Sequence, residues 1–98
     1  MVTKNSDGKL MWLETGHEDA GLTHILQHVN DFKKRQFPME NPEKEIMEAL
    51  NSILESEPLT VTLKEKGYEA IYLYEEKLYL VAYGTNGYVV SFYPFSYD

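Results

Sequence analysis

An α+β domain is predicted, with two N-terminal helices packed on one face of an antiparallel β-meander of four or more strands, in the order β-α-α-β-β-β-β. Three observations lead there. Apolar residues recur at a helical period between Leu22 and Leu54. From Leu59 onward the period switches to two, the repeat of a half-buried strand. The helical and strand-like stretches are also segregated along the chain, which favours an antiparallel sheet over a parallel βαβ layout. Ninety-eight residues, 43% of them hydrophobic, provide for one core and not two, so residues 1–98 are expected to form a single domain.

The elements follow from local chemistry. Lys9-Leu10-Met11-Trp12-Leu13 is a short apolar run confined to a strand by the turn formers Ser6-Asp7-Gly8 and Thr15-Gly16. Leu22, Ile25, Leu26, Val29 and Phe32 then lie on one stripe of a helix, with Asp19 suited to its N-cap. Lys33, Lys34 and Arg35 fall where the carbonyl end of the helix dipole favours positive charge, and Phe37-Pro38 stops the helix. Asn41-Pro42-Glu43 reads as cap, first-turn proline and early acid of a second helix. That helix places Ile46, Met47, Leu50, Ile53 and Leu54 inward and Glu43, Glu45, Glu48 and Glu55 in water, and ends by Glu57-Pro58.

Leu59, Val61 and Leu63 alternate with Thr60, Thr62 and Lys64 in the first strand of the meander. Strands from Glu69 to Tyr74 and from Lys77 to Tyr83 flank a Glu75-Glu76 turn, and Thr85-Asn86-Gly87 turns into a last strand from Tyr88 to Tyr93. The expected core is Leu22, Ile25, Val29, Ile46, Leu50, Leu63, Ile71, Leu80, Val90 and Phe92.

Sixteen acidic against nine basic residues give a net charge of −7, which repels nucleic acid and anionic membrane at long range. The acidity is concentrated: residues 40–57 carry six glutamates against Lys44. With no cysteine, disulfides, thiolate chemistry and cysteine zinc sites are excluded, and a cytoplasmic site of action is expected. No apolar stretch approaches the roughly 20 residues of a membrane span, so no membrane partner is expected and delivery across a membrane would depend on something outside this chain.

All three histidines, His17, His24 and His28, fall within twelve positions. His24 and His28 share one helical face beside the apolar stripe, in a row that continues through Asp31 and Arg35. Two imidazoles held this way suit base and acid roles at neutral pH, and equally suit a pair of partly exposed surface residues. A zinc site built on His17, His24 and His28 with Asp31 lacks the glutamate of the zinc-protease helix, since position 25 is Ile, and no metal or other cofactor is expected. No serine sits in a nucleophile elbow.

Gly21-Leu22-Thr23-His24-Ile25-Leu26-Gln27-His28, a phenylalanine-bearing turn, an acidic helix, a meander and the closing Gly87-Tyr88-Val89-Val90-Ser91-Phe92-Tyr93-Pro94 together resemble the barnase, EndoU, colicin and RelE-like nuclease superfamily, in its phage-associated and polymorphic-toxin branches. The resemblance covers about residues 10 to 95. It implies a RelE-like or barnase-like ribonuclease that cleaves RNA, such as tRNA or another structured RNA, by metal-independent 2′-hydroxyl transphosphorylation. Carried over by position, His24 and His28 would share the proton transfers and Ser91 would contact the phosphate or orient a histidine. Tyr93 would stack on a base or bind phosphate, and His17, Lys33, Lys34 and Arg35 would contact substrate. Family members often place Arg or Lys before the second histidine, where this chain has Gln27, and the last strand has no basic residue. An immunity protein or antitoxin is the expected protein partner, and a place within a larger phage or secreted protein is compatible.

Two other classes fit the composition. One is an acidic, immunity-like or antitoxin-like binding module whose glutamate helix mimics nucleic-acid phosphates or docks on a basic partner. The other is an accessory domain of a phage or mobile-element protein, in which the histidines are incidental.

Overall fold

Turn chemistry sets the strand order. In the computed structural model, which describes residues 2–16, 20–27 and 41–95, β1 (Val2–Lys4) and β2 (Leu10–Trp12) form an antiparallel hairpin. Asn5 closes it, its Oδ1 accepting from the backbone N–H groups of Asp7 (3.0 Å) and Lys9 (2.9 Å). The sequence reading lacks β1, because three residues are too few to display an alternation. His17, Asp19, His28, Val29, Asp31, Phe32, Lys33, Lys34 and Arg35 lie outside the described residues.

Two helices follow, α1 (Leu22–Leu26) and α2 (Pro42–Glu55), and then β3 (Thr60–Lys64), β4 (Gly67–Tyr74), β5 (Lys77–Tyr83) and β6 (Val89–Pro94). The last four form one antiparallel sheet in chain order. The domain is therefore α+β, with a small second sheet in place of the single leading strand. Asn41 caps α2 as expected, its side chain accepting from the Lys44 N–H at 3.3 Å. Glu75 and Glu76 both adopt positive φ, 50° and 68°, the geometry of a tight two-residue hairpin turn.

The core lies between this sheet and α2. Ile46, Leu50, Ile53 and Leu54 pack with Met11, Ile25, Tyr72, Tyr79, Val81 and Phe92, all essentially inaccessible to water. Ile25, Ile46, Leu50 and Phe92 are thus core residues, as expected. Leu22 is partly buried against them.

Three of the other expected core positions are corrected. Leu63 is 68% exposed, since it stands on edge strand β3 while α2 packs on β1 and β4. Ile71 alternates with buried Ala70 and Tyr72 and so points to the opposite face. Leu80 is buried as expected, though it pairs with Ile71 and Tyr93 and lies outside the main cluster. Val90 is the extra residue of an irregularity in register, with Ala82 opposite Ser91 and Tyr83 opposite Val89. Val89 takes the buried place instead, beside Phe92.

Tyr72 gives this core a signature at alkaline pH. Burial, with ionised Tyr83 and Asp7 adding to it, pushes its phenol up to about 12. Between the ordinary value of about 10 and that raised one, the unfolded chain loses a proton that the folded chain keeps, so stability falls as pH rises through the window. Urea midpoints measured from pH 9 to 12 are expected to decline, and to decline less steeply for Tyr72→Phe. An identical decline in both proteins would refute the assignment.

Candidate functional site

The free edge of β6 is closed by the chain leading into α1. The Trp12 N–H donates to the Gly87 carbonyl at 3.0 Å, and Trp12 forms a parallel bridge with Tyr88. Further along, the Gly21 N–H donates to the Val90 carbonyl at 2.9 Å. The first helical amides, which lack intrahelical acceptors, are satisfied by the incoming loop: Leu22 N–H by the Glu14 carbonyl and Thr23 N–H by the Thr15 carbonyl, both at 2.9 Å. No side-chain cap is used, and Gly21 rather than Asp19 occupies the N-cap position.

Gly21 is required here by its backbone as well as by space. Its φ of 86° and ψ of −162° fall in a region open almost only to glycine. A Cβ would lie 2.8 Å from both the Glu14 carbonyl oxygen and the Tyr88 hydroxyl. Ile25 anchors the other side of α1 in the core. These constraints pack α1 directly against β6.

His24 lies one helical turn beyond Gly21 and is half-buried. Ser91 follows Val90, the residue whose carbonyl receives the Gly21 amide. The structure therefore brings the helix of His24 and the strand of Ser91 and Tyr93 together. His17, His28, Lys33, Lys34 and Arg35 are outside the described residues.

Ser91 pairs with Ala82 and alternates with Phe92, so it faces away from the main core. The sequence allows a solvated sheet face at this position. Instead Ser91 is only 5% exposed and, among the described residues, its Oγ has no hydrogen-bond partner. Such a hydroxyl costs about 1–3 kcal/mol relative to a satisfied one. Tyr93 is two residues on, on the same face and half-buried. Burial, and secondarily the negative charge of Glu69, raise its phenol above the ordinary value, so at neutral pH it is a hydrogen-bond donor.

Register adds residues that the sequence reading missed. Thr62, Glu69, Ala82 and Ser91 form one row across β3, β4, β5 and β6. Lys64, two residues from Thr62 and thus on the same face, holds Nζ 3.9 Å from Glu69 Oε1. A groove of about 140 Å³ opens at this end of the sheet, lined by Lys64, Lys66, Gly67, Tyr68, Glu69, Ala82, Tyr83 and Val90. Counting back from the Glu75-Glu76 turn pairs Glu69 with Ala82, which was the available signal.

A wider cavity along α2, lined by Asn41, Lys44, Met47, Glu48 and Asn51 among others, includes none of the expected site residues. Among the described residues, no three His, Asp or Glu side chains are grouped to hold a metal. No described helix is long and apolar enough to cross a membrane. No protein-family model and no curated protein sequence matches this chain.

Proposed function

We propose that the domain is a ribonuclease of the toxin or phage-associated type, acting on tRNA or another structured RNA without a metal. The observation that supports this most is the packing of α1 on β6, which sets the Gly-Leu-Thr-His-Ile segment beside the Val-Ser-Phe-Tyr-Pro strand. In the reaction the ribose 2′-oxygen bonds to the adjacent phosphorus and the bond to the 5′-oxygen breaks. One imidazole of the His24 and His28 pair takes the 2′-hydroxyl proton and the other protonates the leaving 5′-oxygen. Ser91 donates to a phosphate oxygen or orients a histidine, its buried hydroxyl being uncovered as RNA enters, and Tyr93 supplies a second donor or a stacking surface. His17, Lys33, Lys34 and Arg35 contact neighbouring substrate. The products are a 2′,3′-cyclic phosphate and a 5′-hydroxyl. This reading carries with it a cytoplasmic site of action and a neutralising immunity or antitoxin protein.

The exposed Glu43, Glu48 and Glu55 side chains of α2 favour a second reading, a non-catalytic module docking on a basic partner. Incubating the purified domain with total RNA in EDTA separates the two. Cleavage that survives chelation and leaves cyclic phosphate ends is expected. Intact RNA at a large excess of domain would remove the ribonuclease and leave the docking module.

A further inference from the structure

A phosphate-cleaving site needs cations, and β6, which carries Ser91, has none. The fold brings lysines to the same face from elsewhere. Lys64 projects on the Ser91 face of the sheet, and Lys66 joins it at the rim of the groove. We propose that this groove binds the phosphate of a nucleotide flanking the cleavage point, with Lys64 and Lys66 as its cations; the inference rests on the ribonuclease reading and names part of its substrate path.

Three features support it. The groove includes Ala82 and Val90, the first paired with Ser91 and the second preceding it, so it adjoins the candidate site. Its far wall on β3 is three strand spacings away, about 14 Å, which suits a flanking nucleotide and not the reacting phosphate. The Lys64 side chain is 55% exposed, and at 3.9 Å from Glu69 it is paired too loosely to be hydrogen-bonded, which leaves its donors to an incoming anion. Gly67 lets the floor close: its φ is 155°, and a Cβ there would press into the Tyr83 carbonyl oxygen. Glu69 also lines the groove and opposes an anion, so it is expected to weaken binding.

The test uses a 2′-O-methyl RNA oligomer, which binds without being cleaved, followed by fluorescence anisotropy across a salt series. Its companion is the KM for cleavage of the unmodified oligomer. In the Lys64→Ala/Lys66→Ala double variant, affinity is expected to fall about tenfold, KM to rise about tenfold, and the slope of log affinity against log salt to flatten by about 0.7, one single-strand phosphate contact. Glu69→Gln is expected to tighten binding, and Lys64→Arg to retain it. Should the wild type cleave RNA while the double variant keeps its KM and salt slope, the lysines are edge-strand charges only and the groove proposal fails alone. A wild type that neither binds nor cleaves RNA overturns the ribonuclease reading, and the groove with it.

Discussion

On the ribonuclease reading, His24→Ala is expected to lower RNA cleavage by about 10²–10⁴-fold, the usual contribution of a positioned acid or base, with only a small change in urea midpoint. His24 is half-buried on α1, whose fixed points are Ile25 in the core and the Gly21 amide on Val90, so removing the ring leaves the helix anchored. Ser91→Ala is the informative companion. It deletes a buried hydroxyl that has no partner among the described residues, so it is expected to stabilise the domain by about 1 kcal/mol while it slows cleavage. A residue kept only for packing would show the opposite sign in stability and no effect on rate. Initial cleavage rates and denaturation curves on the same preparations check both. Rates for His24→Ala within threefold of wild type would remove His24 from the chemistry.

Phe92→Ala costs about 3–5 kcal/mol, the usual penalty for emptying a buried aromatic site. Phe92 is inaccessible to water, pairs with Val81 across the ladder and has its ring centroid 5.7 Å from that of Tyr79. Domains of this size have total stabilities of about 5–15 kcal/mol, so the variant is left marginal or unfolded at 37 °C. Ser91→Ala, one residue away on the other face, provides the internal contrast. Denaturant unfolding measures both, and a loss under about 1 kcal/mol for Phe92→Ala would contradict the assignment of the two sheet faces.

Local residues were enough for α2 and the strands of the meander. The stripe from Ile46 to Leu54, the Asn41 cap and the Glu75-Glu76 turn each act within a few positions, so α2 and the β4–β5 hairpin were legible in the chain. His24, Ser91 and Tyr93 were legible as candidates because they sit in two short motifs. Their neighbours were not, because strand register decides them: Glu69 reaches the row of Ser91 only through two ladders, and Lys64 stands diagonal to Glu69 across a third strand. Periodicity tells which residues share a face, but not which face is covered. That depends on where α2 lies across the sheet, and it leaves Leu63 in water although its spacing matches a buried strand. One register irregularity beside Ala82 exchanges Val89 for Val90 in the core, a change no pattern within β6 announces. The alternation of β6 already turns Ser91 away from Phe92; its burial without a partner is a property of the packed molecule, because only tertiary packing excludes water from a hydroxyl that the sequence permits to be solvated.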